Sequence, residues 1–316
     1  MNAKAIGGVR KSNKNDTLTK MKRYKFLYLL LAPAILYEII FNYIPIGGIV
    51  IAFQDYDIIG GILHSPFVGF SNFVKVFSNP KMFVAIKNTL IYSGMQLFLG
   101  TPFPIMLALL LNEINSKSFK KVTQTISYLP HFLSWVSVVG ILSTFFETYG
   151  TYNDILVKIF GAAFERKNIL MDSKYFVHII FWSNIWKGIG WSSIIYLSAI
   201  SGIDQSMYEA AAIDGCSRFK RAIYITIPSI APTILILFIM SMGNLVTSNF
   251  EQVYGFQNLY TQEATETINT LVFRMGIQGG EYSLSTAFSL AQRGVSFLIV
   301  FLSNRIVKKL SGTGIW

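Results

Sequence analysis

Six stretches of the chain stay apolar for the roughly 20 residues that a bilayer crossing demands, and this constrains the fold more than any other feature. They cover 26–53, 83–111, 122–146, 175–200, 223–246 and 286–307. A lipid-exposed segment must satisfy its own backbone hydrogen bonds, so each run is expected to be a helix. Pro33, Glu38, Asn42 and Pro45 interrupt the first run. Prolines and glycines inside the spans are tolerable in that setting and predict kinks. Only 14% of the residues are charged, against about 25% in a soluble domain, which is too few to coat a water-facing surface. The expectation is an all-α membrane protein with six transmembrane helices. A basic segment before the first run superficially resembles a signal peptide. The run is too long, however, and no small-x-small cleavage site follows it, so a signal-anchor helix is the better reading.

Charge orients the bundle. The formal net charge is +11. Basic residues concentrate before the first span (Lys4, Arg10, Lys11, Lys14, Lys20, Lys22, Arg23, Lys25) and in alternate connections: Lys117, Lys120 and Lys121; Arg218, Lys220 and Arg221; Arg305, Lys308 and Lys309. The opposite loops hold fewer: Lys75, Lys81, Lys158, Arg166, Lys167, Lys174 and Arg274. Positive residues mark the cytoplasmic side, so both termini are predicted to be cytoplasmic. The basic excess is thus a topology signal in a cytoplasmic-membrane protein, and no nucleic-acid partner is implied. The expected organisation is a basic cytoplasmic tail over 1–25 and a transmembrane domain over 26–316. Its outer loops are the long ones, at 54–82, 147–174 and 247–285. In the first of these, Phe67, Phe70, Phe73 and Phe77 recur at helical spacing, as an interfacial amphipathic helix or as an aromatic belt.

Covalent chemistry finds no support. G-x-x-x-x-G-K-[ST], H-E-x-x-H and G-x-S-x-G are all missing. The single cysteine, Cys216, excludes an intramolecular disulfide, and His64, His131 and His178 are too scattered to suggest a metal cage. The chain is expected not to be an enzyme and to bind no cofactor or metal of its own. If ATP drives it, another subunit hydrolyses the ATP.

The connection between the fourth and fifth spans, at about 201–228, is the informative segment. It contains Glu209-Ala210-Ala211-Ala212-Ile213-Asp214-Gly215, continues through Arg218, Lys220 and Arg221, and reaches Ile225, Ile227 and Pro228. Alanine is the best helix former, and its small side chain lets another protein approach closely. Gly215 can take the left-handed conformation that ends a helix, and Ser217 can cap a second one. Physically this is a compact helix–turn–helix on the cytoplasmic side, or an ordinary connector.

The pattern E-A-A-x-x-x-G followed by I-x-I-P resembles the coupling loop of the inner-membrane permeases of ABC importers. Glu209, Ala210, Ala211, Asp214, Gly215, Ile225, Ile227 and Pro228 carry the match, with Cys216 a mild departure after the glycine. Leu30-Leu31-Ala32-Pro33, Gly69-Phe70-Ser71-Asn72-Phe73, Asn88-Thr89 and Trp186-x-x-x-Gly190 are similar to sugar permeases. Gln54-Asp55-Tyr56, Phe250-Glu251-Gln252-Val253, Tyr282-Ser283-Leu284 and Ser303-Asn304-Arg305 look closest to oligosaccharide and polysaccharide permeases of the alginate-importer and lipoprotein-associated type. This resemblance implies the type I ABC importer permease (MetI-like) fold. The implied partners are a second, related permease subunit, two copies of a cytoplasmic ABC ATPase that holds ATP and Mg, and an extracytoplasmic sugar-binding protein.

Residues for a substrate path are chosen by chemistry. An acid within a span is costly in lipid and marks a functional position, so Glu38 is a candidate, with Asn42 one turn on; the structural alternative is a hydrogen bond or ion pair inside the bundle, with Lys187 or Arg293 among the partners. Trp182, Asn184, Trp186, Asn244 and Asn249 offer stacking faces and amides. In the loop 247–285, Phe250, Tyr254, Phe256 and Tyr260 interleave with Glu251, Gln252 and Asn258, a mixture suited to sugar rings with apolar faces and polar edges. Helix packing or belt roles account equally for many of these. Two rival functions stay in view: the same fold serving a non-sugar solute, and a secondary transporter. The latter leaves the coupling loop unexplained, and no inverted repeat is visible.

Overall fold

The computed structural model describes residues 23–161, 163–312 and 314; the basic tail expected over 1–25 lies outside them as far as residue 22. The described residues are almost wholly helical. Four of the helices are long and apolar enough to cross a membrane, and a bent pair raises the number to five.

Helix α1, Lys25–Phe53, changes its winding twice. It is α-helical to Glu38, takes a π turn over Ile39–Tyr43, and tightens to a 3-10 helix over Ile44–Phe53. Pro45 lacks the N–H that a regular helix would donate four residues back, so the ladder must re-form there. No side chain of Lys25–Glu38 is buried. After the short helix α2 (Ser71–Ser78) comes α3, Pro80–Asn112. The Asn79 side chain caps α3 by accepting the Lys81 N–H at 3.0 Å. A π turn over Met95–Gly100 sits just before Pro102 and Pro104.

The third apolar run is not one straight helix, and the expectation of a continuous span over 122–146 is corrected here. Amphipathic α4 (Lys117–Tyr128) passes into a tight turn, Leu129–Phe132, and stops. Leu133 and Ser134 are extended, and α5 (Trp135–Phe146) opens a second arm, Trp135–Phe160, bent by 98° from the first, Lys117–Phe132. The local chemistry accounts for the break. Pro130 suits the first turn of a short helix rather than the middle of a long one. Ser134 restarts the chain as an N-cap, accepting the Ser137 N–H at 3.1 Å.

Helix α6 (Thr151–Phe160) leads to α7, Ser173–Ser201, a helix of 29 residues without proline or change of winding. It matches the apolar helices in length, but Ser183, Asn184, Lys187, Ser192 and Ser193 dilute its hydropathy and it is not among the four. A short helix α8 (Gln205–Ile213) follows, then α9, Arg218–Met242, with a π turn over Ala222–Thr226 just before Pro228. The segment 247–281 contains α10 (Phe250–Phe256) and α11 (Ile268–Phe273), and α12 (Tyr282–Ser311) ends at Gly312, φ +70°.

Three apolar clusters hold these elements. Met82, Ala85, Leu271, Ala287 and Phe288 join α3, α11 and α12. Tyr92, Phe176, Ile180, Val253 and Phe256 join α3, α7 and α10. Ala108, Leu111, Tyr196, Ile200 and Ile230 join α3, α7 and α9. In the first outer loop the phenylalanine repeat forms only the eight residues of α2; Phe67, Phe70 and Phe73 instead gather around the ring of Phe53, at 6.4, 5.5 and 5.3 Å between centroids.

Candidate functional site

Two regions collect the residues singled out by sequence: the α8–α9 connection and a cavity beside α7. In the first, the Asp204 carboxylate caps α8 by accepting the Ser206 N–H at 3.0 Å, and that bond holds its pKa below the usual carboxylate value. The far end is a Schellman turn. The Cys216 N–H donates to the Ala211 carbonyl at 2.8 Å and the Gly215 N–H to the Ala212 carbonyl at 3.1 Å, with Gly215 at φ +72°. Ser217 then caps α9, accepting the Lys220 N–H at 3.4 Å. One hydrogen bond, Tyr208 Oη to Thr226 Oγ1 at 2.8 Å, clamps α8 against the root of α9, and Thr226 is buried. Arg218 reaches Glu113 at the end of α3, at 3.6 Å.

What is left outward is informative. Glu209, Ala210, Asp214 and Gly215 are exposed, and Ile213 and Phe219 are 86% and 75% exposed. Two large apolar side chains, a carboxylate and a basic flank therefore stand on a rigid turn. Of the residues that follow in the motif, Ile225 and Ile227 are half-buried in the start of α9, and Pro228 is exposed there.

The second region is a cavity of about 570 Å³ bounded by α3, α7, the end of α9 and the segment leading into α10. It brings together Asn184, Asn244, Asn249 and Gln252. Gln252 is 1% exposed, and its amide is committed to α7, donating to the Ile180 carbonyl at 2.7 Å and Ser183 Oγ at 2.9 Å. It therefore clamps α10 to α7. Asn249 is likewise engaged, accepting the Gln252 N–H at 3.0 Å as the cap of α10.

The other pathway candidates lie elsewhere. Trp182 and Trp186 line a separate pocket of about 280 Å³ with Tyr152, Tyr175 and His178. Glu38 is on exposed α1, where it accepts the Asn42 amide at 2.7 Å; the suggested pairing with Lys187 or Arg293 is replaced by this bond. Lys187 instead donates to the His131 carbonyl at 2.8 Å and lies over the Trp135 ring, bridging the break between α4 and α5. It thus satisfies a carbonyl at the interrupted helix end, and His131 stacks on Trp191 of α7 at 4.5 Å. Glu251 is exposed, while Tyr254 is enclosed by Phe250, Phe273 and the Arg274 guanidinium, its hydroxyl accepting from Gln278 at 3.3 Å. Phe250 and Tyr254 are packed against Phe273 and Phe256 is buried, whereas Tyr260 is 76% exposed.

Three further polar groups have roles that sequence reasoning did not assign. Asn88 on α3 donates to the Ala264 and Glu266 carbonyls, and Thr89 accepts the Ile268 N–H, which ties the outer segment to α3. Gln96, two turns further along α3, lines the cavity, and its Oε1 is buried without a donor among the described residues.

Comparison with known proteins gives this geometry a context. Residues 100–310 match the family model described as "Binding-protein-dependent transport system inner membrane component". The chain is 39% identical over 307 residues to the polygalacturonan/rhamnogalacturonan transport system permease protein YteP of Bacillus subtilis (strain 168), covering 97% of this chain and 95% of that one. It is 40% identical over 300 residues to Protein LplB of the same organism, covering 95% and 93%. Among solved structures it resembles a chain of a bacterial alginate ABC transporter in complex with an alginate pentasaccharide-bound periplasmic protein, with TM-score 0.84, 37% identity, and coverage of 94% of this chain and 99% of that one. The helical fold is therefore the importer-permease fold that the coupling-loop pattern implied, and the chain belongs to the binding-protein-dependent transport system inner membrane components.

Proposed function

We propose that the chain is one permease subunit of an ATP-driven importer that carries an oligosaccharide delivered by an extracytoplasmic binding protein. The observation that carries this reading is the α8 turn: a capped, exposed helix ended by a left-handed glycine, in a chain whose relatives are named as polysaccharide permeases. α8 with Glu209 is the seat for a cytoplasmic ATPase, which binds ATP and Mg, while this chain holds no cofactor. One coupling loop seats one ATPase, so a second, related permease completes the pair. Exposed α1, with its self-paired Glu38 and Asn42, supports the need for such a neighbour in the membrane.

Six spans follow if α7 and the bent α4–α5 pair are counted with the four apolar helices. Both termini are then cytoplasmic, in keeping with the basic clusters at 117–121 and 218–221. Reporter fusions near residues 65, 160 and 265 are expected to be extracytoplasmic; a cytoplasmic signal at any of them sinks this topology. The function is tested by purifying the complex and assaying ATP hydrolysis with the loaded binding protein over a glycan panel. Stimulation by an oligosaccharide is expected, and stimulation only by amino acids, phosphate or metal ions overturns the reading.

A further inference from the structure

The pocket of about 280 Å³ on the tryptophan face of α7 is a groove between two helices. Leu142 and Phe146 of α5 form one wall, and Tyr175, Ile179, Trp182 and Trp186 of α7 form the other. The α7 positions are three or four residues apart, so they make one stripe along the helix. Trp182 and Trp186 are 54% and 45% exposed, although an indole is among the largest apolar surfaces a chain can bury. The Trp182 ring is nevertheless held: Phe181 and Phe103 meet it edge to face, at 5.1 and 5.7 Å between centroids.

Length, width and ends define what fits. From Tyr175 to Trp186 is about 16 Å at 1.5 Å per residue. That is about half of the ~30 Å hydrocarbon core, so the stripe runs the depth of one leaflet from the Ser173 end of α7. Spread over that length, 280 Å³ gives a mean cross-section of about 17 Å², against about 80 Å² for a helix 10 Å across. One extended chain fills such a space; a helix does not enter it. Left empty, the groove would forfeit dispersion contacts along both walls. At the Ser173 end the lining includes Tyr152, Tyr175 and His178, whose side chains make no hydrogen bond among the described residues. Phenols and imidazoles can donate, and Lys174, exposed beside Tyr175, adds a positive charge. Deeper in, the one polar side chain of the lining is Ser183, whose hydroxyl is committed to Ile179 and Gln252. The occupant therefore needs a flexible apolar tail one leaflet long and an anionic, acceptor-rich head.

We propose that this groove binds one phospholipid, with an acyl chain along Trp182 and Trp186 and its phosphate and ester oxygens at the level of Lys174, Tyr175 and His178. The site is separate from the cavity that holds Asn184, and it rests on the reading of α7 as a span. A chain bound there packs α5, which begins the second arm of the broken span, against α7.

The test purifies the complete transporter in detergent and counts retained lipids by native mass spectrometry. One phospholipid bound to this permease is expected to survive washing that strips the others. Leu142→Trp, which fills the groove, and Trp182→Leu, which thins one wall on an exposed position that folding does not need, are each expected to lower its occupancy about tenfold. Ile141→Trp, at the exposed neighbouring position, is expected to leave it unchanged. Equal occupancy in all these proteins, or equal loss from Ile141→Trp, overturns the inference. So does a photo-crosslinker at position 182 that captures the partner permease in place of lipid. The reporter fusion near residue 160 tests the span by itself, so the two readings fail separately.

Discussion

Gly215→Pro is expected to abolish uptake while the permease still inserts and the binding protein still docks. Proline fixes φ near −65°, but the chain at this position needs φ +72°. It also deletes the N–H that bonds the Ala212 carbonyl. The Schellman turn is lost, and with it the relation between α8 and the Tyr208–Thr226 clamp. Gly215→Ala keeps the N–H and has open space for its Cβ, so only the left-handed backbone opposes it, at about 1–2 kcal/mol; partial uptake is expected. Glu209→Lys reverses a charge on the exposed face. Removing one member of a desolvated interfacial ion pair costs about 2–5 kcal/mol, so ATPase subunits are expected to dissociate during purification. Full uptake with both Gly215→Pro and Glu209→Lys present would make the loop a mere connector.

A comparably large effect is expected at Gly190, this time on folding. A Cβ there would overlap the carbonyl group of Ser127 and reach Tyr128 Cδ1 at 3.0 Å. The obstacle is the backbone of α4, which cannot rotate aside as a side chain would. Overpacking an interior costs about 1–3 kcal/mol when side chains can yield, and more is expected where a helix must move bodily. Gly190→Val should lose the folded permease, and Gly190→Ala should lower its melting temperature in detergent. Gly140→Ala, whose Cβ meets nothing within 4 Å, is the neutral control. Melting temperatures for Gly190→Ala and Gly140→Ala that do not differ would show that α4 and α7 are not in backbone contact.

The coupling turn was legible because it is local. Ser217, Gly215 and the alanine run determine their own backbone through caps and φ, with no help from distant residues. Several family-type pieces prove to be scaffolding. Asn72 donates to the Ala52 and Gln54 carbonyls, and Ser283 accepts the Tyr56 N–H across more than two hundred residues of sequence. Such pairings depend on which helices meet, which periodicity does not encode. The break at Leu133–Ser134 had local signs in Pro130 and Ser134, but hydropathy averages over both and read a single span. The tryptophans could have been separated from Asn184 by geometry alone. At 3.6 residues per turn, positions 182 and 184 lie about 200° apart, so no single path can be lined by both. Gln96 was missed because one amide in an apolar helix carries no signal until its empty acceptor is seen.

Between the two helices that carry α8 there is a contrast of stiffness. On one flank, α7 runs unbroken from Asn184 in the cavity wall to Ser201, about 26 Å at 1.5 Å per residue, and only Gly202, Ile203 and Asp204 separate it from α8. On the other, α9 begins with a π turn and a proline, where the hydrogen-bond ladder is weakest. A displacement applied to α8 is therefore carried along α7 almost as through a strut, while the base of α9 yields. Of the two flanks of α8, the one towards α9 is therefore the more compliant.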